Sequence, residues 1–229
     1  AGDFSGAFFQ AGVAELTMAC CCIGMALHGG VIPACGTFFV FSDYMKPAVR
    51  MAALMELPVK FIWTHDAFRV GEDGPTHESV EQEAQIRLME KLKNHHGKNS
   101  MLVLRPAEAK ETTVAWKMAM ENTATPTALI FSRQNITNLP EGNDYSLAER
   151  GAYIVAGSDE NPDVVMVASG SEVSTLISGA NLLRKDGVRC RIVSVPSEGL
   201  FRSQPKEYQE SVVPAGAKVF GMTAGLPVN

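Results

Sequence analysis

The sequence predicts an α/β fold in two parts: a parallel-sheet domain over residues 1–140 and a partial α/β domain over residues 150–229. Strand-length apolar runs alternate with helical patterns, which is typical of parallel sheets covered on both faces. The alternation stops over residues 138–149, where Asn, Pro, Gly and Asp cluster, and then restarts. Because 46% of the residues are hydrophobic and 20% are charged, the chain can bury a core of this kind.

The first domain is expected to begin with a helix over residues 12–27, which is apolar nearly all round and should therefore be buried. Gly29 and Gly30 would end this helix, and Ser42 or Asp43 would cap the next one. The remaining predicted elements are a strand over 31–37, a helix over 43–56, a strand over 59–64, a helix over 78–94, a strand over 101–104, a helix over 107–122 and a strand over 128–131.

The second domain repeats the pattern over a shorter length. Gly170, Ser171 and Glu172 form a turn at a predicted helix start, where an anion could bind. The predicted elements are a strand over 164–168, a helix over 173–185, a strand over 188–195, a helix over 206–213 and a strand over 218–222.

Composition excludes several classes of function. The net charge of −5 argues against nucleic acid or an anionic membrane as the main partner. The apolar run over residues 13–27 is too short to span a bilayer and contains Glu15. The chain has five cysteines and no C-x-x-C pair, and the three adjacent ones at 20–22 would point about 100° apart on a helix, so they cannot share one tetrahedral metal. We therefore expect a reduced, cytoplasmic protein.

The loop over residues 65–77 is the strongest candidate site. It follows a predicted buried strand and contains His65, Asp73 and His77 together with two glycines and a proline. Open α/β sheets place ligand chemistry in such loops, at the carboxyl ends of strands. The alternative is a solvated connection, but the density of titratable side chains favours a site.

Three further features could carry chemistry. Glu15 lies in an apolar segment, where burial would raise the pKa of its carboxyl group; alternatively, it lies at an exposed helix start that favours the charged form. Phe38, Phe41 and Tyr44 are spaced three apart and would form one aromatic stripe on a helical turn, although such stripes more often belong to a core. Arg133 follows a predicted strand and could clamp a phosphate or form a surface salt bridge.

A set of short motifs then occurs in one order along the chain and resembles the transketolase family. These motifs are Gly12-Val13-Ala14-Glu15, Leu27-His28-Gly29-Gly30, Gly36-Thr37-Phe38, Ala48-Val49-Arg50-Met51-Ala52-Ala53-Leu54-Met55, Thr64-His65-Asp66, Gly71-Glu72-Asp73-Gly74-Pro75-Thr76-His77, Ser132-Arg133-Gln134-Asn135 and Ala168-Ser169-Gly170-Ser171-Glu172-Val173. The resemblance implies a thiamine-diphosphate-binding fold and transfer of a two-carbon ketol unit between sugar phosphates. It also implies that the first domain binds the cofactor's pyrimidine.

The resemblance implies a role for each candidate near the cofactor. Glu15 would donate a hydrogen bond to the aminopyrimidine ring nitrogen, a task that suits a desolvated, protonated carboxyl. Phe41 would stack on that ring, and Phe38 and Tyr44 would complete the aromatic pocket.

The resemblance also implies the substrate contacts. His65, Asp73 and His77 would contact the hydroxyl and carbonyl groups of the sugar, and His77 would also transfer protons. Arg133 would bind the substrate phosphate and so position the reacting carbon.

Other family features are expected outside this sequence. The family's Mg²⁺ or Ca²⁺ and the diphosphate are held by an amino-terminal domain, whose metal motif is absent here, so we predict no metal ligands in this chain. The implied partner is a diphosphate-binding domain or subunit, with a homodimer when complete. Both chain ends read as cut from a longer protein. Ser79 departs from the family's usual proline, which should alter only a helix start.

Two alternatives remain open from the residues. The chain could be a non-catalytic fragment or interaction module, or it could belong to a related thiamine diphosphate enzyme, either a deoxyxylulose-phosphate synthase or a 2-oxoacid dehydrogenase β subunit. The motif over residues 71–77 together with that over 132–135 favours transketolase over these related enzymes.

Overall fold

A computed structural model describes residues 6–66, 68–157 and 161–227. Within these ranges the chain forms two four-stranded sheets, each with helices packed against it. The outermost residues at both ends, which contributed to the prediction of a longer protein, lie outside the described residues.

The first sheet is entirely parallel, with strand order β1-β2-β4-β3. This arrangement confirms the parallel α/β sheet predicted from the alternating pattern. The strands are β1 (Ala34–Phe38), β2 (Lys60–Thr64), β3 (Leu102–Leu104) and β4 (Thr127–Ile130), and the helices are α1 (Glu15–His28), α2 (Ser42–Leu54), α3 (Gln82–Lys91) and α4 (Ala109–Glu121).

The core of this part forms around the two central strands. β4 is buried along its whole length, because helices cover both faces of the sheet. Phe61 and Trp63 of β2 stack on each other with ring centroids 5.6 Å apart, and Phe39 stacks on Trp63 at the same distance. The Trp63 indole donates a hydrogen bond to Met45 Sδ at 3.4 Å, which satisfies its buried N–H.

The second sheet has the order β5-β7-β6-β8. Strands β6, β7 and β8 run parallel, while β5 pairs antiparallel with β7. The sequence did not predict β5 or the short helix α6. The elements are β5 (Tyr153–Ala156), β6 (Val164–Ala168), α5 (Glu172–Leu183), β7 (Cys190–Ser194), α6 (Glu198–Arg202), α7 (Lys206–Val212) and β8 (Val219–Met222).

Helix α1 is not buried as its composition predicted. Only one side packs on the rest of the chain, through residues such as Ala19 and Cys22. Leu16, Cys20 and Leu27 lie in line with one another at helical spacing and are exposed, Leu16 at 45% and Leu27 at 57%. The prediction was wrong because no other part of the described chain covers this surface, which we call the α1 face.

The predicted cap of α2 is also wrong. The helix begins at Ser42 itself, Phe41 occupies the capping position, and no side-chain cap bond forms. Asp43 instead accepts hydrogen bonds from Lys46 at 2.6 Å and from Gln82 at 2.9 Å, so its carboxylate ties α2 to α3.

Among the helices of the described ranges, none combines the length and the apolar character needed to cross a membrane.

Candidate active site

The candidate residues gather at one edge of the first sheet, where parallel strands end. Phe38 is the last residue of β1, and His65 directly follows β2. Arg133 lies three residues beyond the end of β4, the strand beside β2. Sequence-distant residues meet here because the carboxyl ends of parallel strands share one edge, which is where such sheets bind ligands.

The aromatic stripe forms as a continuous line of rings. Phe38 and Phe41 stack with centroids 6.1 Å apart and planes 10° apart, and Phe41 and Tyr44 stack at 6.0 Å and 25°. The line crosses β1, a short 3₁₀ helix over Phe39–Phe41 and the first turn of α2, rather than one helical turn as predicted. Tyr44 is 63% exposed, whereas the neighbouring Phe39 belongs to the core. The line is therefore an open surface and not core packing.

His65 is held against the start of this line. Its ring stacks on Phe38 with centroids 3.6 Å apart, and its Nδ1 shares a 2.9 Å hydrogen bond with Thr64 Oγ1. Its backbone adopts φ +60°, a left-handed conformation uncommon for a residue with a side chain. Burial lowers the pKa of His65; Asp73 opposes that shift and Arg133 adds to it.

His77 approaches the same rings from the far end of the loop. Its backbone N–H donates to Gly74 O at 3.0 Å, and its Nδ1 shares a 2.9 Å bond with Thr76 Oγ1. The ring meets Phe41 edge-on at 5.3 Å and Phe38 at 6.3 Å. In both histidines the preceding threonine engages Nδ1, so Nε2 is the nitrogen left to serve a ligand.

Asp73 and Arg133 border the histidines with opposite charges, and both side chains are exposed. Gly71, at φ +92°, lies against Arg133: a Cβ there would be 3.4 Å from Arg133 Nη1. Both charges act on the pKa of His65, so both lie within electrostatic reach of its ring. The structure thus brings the loop residues and the arginine together.

Glu15 is the first residue of α1 and is partly exposed. The full burial expected from its apolar neighbours does not occur in this chain. Its position matches the alternative expectation of a helix start. Helix α1 packs against α2 and β1, the two elements that carry Tyr44 and Phe38.

Arg105 was not among the residues predicted from the sequence, and it forms a buried charge cluster with Asp66 and Glu172. Arg105 Nε lies 2.6 Å from Asp66 Oδ2, and Arg105 Nη2 lies 2.6 Å from Glu172 Oε2. Burial raises the pKa of Asp66, and Arg105 opposes that rise. The sequence feature that could have identified Arg105 was the position of an arginine directly after a buried strand. The turn over residues 170–172 packs on this arginine: a Cβ at Gly170 would lie 2.6 Å from Arg105 Cζ, and Glu172 pairs with its Nη2.

In the described part of the chain, no group of three or more His, Cys, Asp and Glu side chains could hold a metal ion.

Two family models match the chain. One is described as the transketolase pyrimidine-binding domain and matches residues 2–138; the other is the transketolase-like C-terminal domain and matches residues 151–229. The chain belongs to the transketolase family.

Individual transketolases resemble the chain along most of its length. A transketolase from Bacillus subtilis is 47% identical over 94% of this chain and 32% of its own length. The structure of a transketolase from Pichia stipitis, described as a complex with sedoheptulose-7-phosphate, is 36% identical and superposes with a TM-score of 0.90, covering all of this chain and 32% of that one. The chain therefore spans about a third of the length of these relatives.

A third similar structure is described as a split-gene transketolase in an inactive β4 tetramer. It is 26% identical, has a TM-score of 0.65, and the match covers 83% of this chain and 57% of that one.

Proposed function

We propose that this chain is the pyrimidine-binding half of a transketolase. It transfers a two-carbon ketol unit from a ketose phosphate to an aldose phosphate once a diphosphate-binding half joins it. In this proposal the two domains span residues 1–140 and 150–229, and the protein works in the cytoplasm. The observation that carries the proposal is the open line of Phe38, Phe41 and Tyr44 rings, with His65 and His77 against its rings.

The aromatic line fits a flat heterocycle. Its rings are stacked nearly parallel, Phe38 and Phe41 are only partly buried, and Tyr44 is exposed, so a planar group can stack against them. Thiamine diphosphate, when bound, supplies an electron sink for breaking and forming the carbon–carbon bond. In this proposal, Mg²⁺ or Ca²⁺ and the diphosphate are held by the joining half.

Glu15 and the two histidines handle protons. Glu15 donates a hydrogen bond to the pyrimidine once the joining half covers α1 and excludes water from its carboxyl group. His65 and His77 present Nε2 to the sugar hydroxyls, because Thr64 and Thr76 engage their Nδ1 atoms. The lowered pKa of His65 keeps its ring neutral near pH 7, so its Nε2 can accept a proton.

Arg133 and Asp73 fix the ends of the substrate. A guanidinium binds phosphate through two parallel hydrogen bonds, and Arg133 is exposed and packed over Gly71 at the border of the site. Asp73 accepts hydrogen bonds from sugar hydroxyls. The similar Pichia stipitis structure is described as a complex with a sugar phosphate, which supports this substrate class.

The joining half docks on the α1 face. This surface is apolar and exposed among the described residues, and α1 packs on the elements that carry the aromatic line. The complete protein is a homodimer in which residues of two chains form each site. The similar split-gene transketolase, described as a β4 tetramer, supports the view that such a half associates with other chains.

Reconstitution tests the proposal. This chain is mixed with the amino-terminal half of a transketolase, thiamine diphosphate and Mg²⁺, and ketol transfer from a ketose phosphate is measured. Glu15→Gln should lower kcat by at least about 100-fold, since a positioned proton donor contributes about 10² to 10⁴. Glu141→Gln, a matched change in an exposed loop, should leave kcat unaltered.

Several outcomes would contradict the proposal. No turnover with any transketolase amino-terminal half would favour the non-catalytic fragment. Turnover that needs a 2-oxoacid in place of the ketose phosphate would favour one of the related thiamine diphosphate enzymes. Full activity in Glu15→Gln would remove the proposed role of that carboxyl group.

A further inference from the structure

Arg105 lies between the two sheets and connects them through its backbone. It directly follows β3. Its backbone N–H donates to Pro196 O at 2.8 Å, and its carbonyl accepts from Gly170 N–H at 3.1 Å. Both partners belong to the second sheet's loops, so the end of β3 is fixed to that part of the chain before any side chain is considered.

The Arg105 side chain is 1% exposed and continues this link. On the second-sheet side it donates to Ser169 O at 2.6 Å and pairs with Glu172 at 2.6 Å. On the first-sheet side it pairs with Asp66 at 2.6 Å. Gly170 packs so closely on the guanidinium that a Cβ there would lie 2.6 Å from Cζ. The arrangement fills the space between the two groups of elements and allows little movement.

Asp66 adjoins His65, whose ring borders the candidate site. The Asp66 N–H donates to Phe131 O at 3.2 Å, and the His65 carbonyl accepts from Ser79 Oγ at 3.4 Å. The carboxylate of Asp66 is 2% exposed and is held by Arg105. The peptide between residues 65 and 66 is thus restrained on each side, and His65 keeps its unusual φ of +60° within these restraints.

We propose that Arg105 is a positioning residue for His65, and that the second sheet sets the geometry of the His65 ring through the chain of contacts Glu172–Arg105–Asp66. The positioning of His65 by Arg105 does not depend on the proposed function. Only the benefit of a well-placed His65 for sugar binding rests on that function. The proposal gives the second domain a defined effect on a site formed by the first.

Arg105 affects His65 by fixing the geometry of its ring rather than by a direct electrostatic interaction with it. The groups that act electrostatically on the His65 ring are Asp73, Arg133, Asp66 and His77. Loosening the peptide after His65 would move its ring away from Phe38 and expose it to water. The ring would then lose the upfield NMR displacement that a stacked phenyl ring causes, and its pKa would rise towards the ordinary histidine value because burial now lowers it.

The test is an NMR titration of this chain with ¹³C-labelled histidine, with the His65 signal assigned by His65→Gln. Glu172→Gln removes one ion pair from the second-sheet side without touching the loop. We expect it to reduce the upfield displacement of the His65 ring protons and to raise the ring pKa. Arg105→Gln should do so more strongly, and Arg105→Lys should restore part of the wild-type spectrum because it keeps the charge.

Glu111→Gln is the matched control. Glu111 is also a buried carboxylate between the two parts, accepting from Ala107 N–H and Tyr153 Oη–H, both at 2.7 Å. These bonds reach Ala107 and Tyr153 but not Asp66 or His65, so the variant should leave the His65 signal unchanged. Wild-type signals in both Glu172→Gln and Arg105→Gln, or an equal change in Glu111→Gln, would overturn the proposal. If Arg105→Gln does not fold, the His65 signals of Glu172→Gln and Arg105→Lys test the proposal. No cofactor or turnover is involved, so the result is independent of reconstitution.

Discussion

At the scale of single residues, His65 lies between two exposed charges of opposite sign. Asp73 acts to raise its pKa and Arg133 acts to lower it. Arg133→Gln should therefore raise the pKa of His65 and Asp73→Asn should lower it. The measurement is a histidine NMR titration at low salt. Both changes should shrink in 0.5 M salt, because exposed charges are screened. Shifts of the same sign in the two variants would contradict this assignment of charges.

A second residue-scale prediction concerns Lys60, which is 1% exposed and donates to Asn122 O at 2.6 Å. Burial lowers the pKa of Lys60 from 10.5 to about 8. Between those pH values the unfolded chain keeps a proton that the folded chain releases, so the free energy of unfolding rises with pH through this window. Relative to Lys60→Met, the wild type should gain up to about 3 kcal/mol between pH 8 and 10.5, measured by urea unfolding.

Lys117→Met provides the control for this titration. Lys117 is exposed and bonds to Glu149 at 2.7 Å, and this bond raises the pKa of Lys117. Its contribution to stability is present below the ordinary lysine pKa and is lost as pH rises further. The difference between wild type and Lys117→Met should therefore stay nearly constant between pH 8 and 10.5 and fall only above pH 10.5. A constant difference for Lys60→Met across the window would contradict a buried, easily deprotonated amine.

At the scale of elements, the turn before β5 depends on glycine. Gly151 has φ +88°, and a Cβ there would lie 2.4 Å from both Phe201 N and Ser197 O, which are backbone atoms of the α6 region. Gly151→Ala should cost at least about 3 kcal/mol, since both backbone strain and a backbone clash are introduced. Gly142→Ala, at φ +90° in open space, should cost only about 1 kcal/mol. Thermal unfolding of the two variants measures the difference, and equal costs would show that the close approach at Gly151 is relieved easily.

Elements with a strong local pattern were predictable. The strand predicted over residues 164–168 is found with the same bounds, and the parallel first sheet was expected from its apolar runs. The four residues of β5 were missed because so short a segment shows little periodicity, and its antiparallel pairing with β7 depends on distant contacts. The helix predicted over residues 78–94 extends only over Gln82–Lys91. Its ends depend on tertiary contacts that no local pattern encodes.

The candidate site was predictable to the extent that its residues carry distinctive local chemistry. The loop over 65–77 and the aromatic spacing were visible in the sequence, and the structure places these side chains in ring contact. The role of Arg105 was not visible, because its partners Asp66 and Glu172 are far away in sequence and meet only after the two sheets pack. The degree of burial of Glu15 was also not visible, because it depends on what covers α1.

At the scale of the whole molecule, no part of the chain that the structure describes covers the α1 face. We expect the chain alone to self-associate through this apolar surface at micromolar concentrations. The double variant Leu16→Glu and Leu27→Glu should shift the chain towards monomer in sedimentation velocity, because it places charges on the exposed side of α1. Leu182→Glu, at an exposed position of α5, should leave association unchanged. A wild-type chain that stays monomeric would contradict the prediction.

The helical turn of α1 also distributes its neighbouring thiols. Cys20 lies in line with Leu16 and Leu27, whereas Cys21 is rotated about 100° away, and both are exposed while Cys22 is buried. A bulky maleimide should alkylate Cys20 and Cys21 at comparable rates in the free chain. When another protein covers the helix, the Cys20 rate should fall further than that of Cys21, which then serves as an internal reference. The ratio of the Cys20 and Cys21 alkylation rates therefore reports which side of α1 another protein covers.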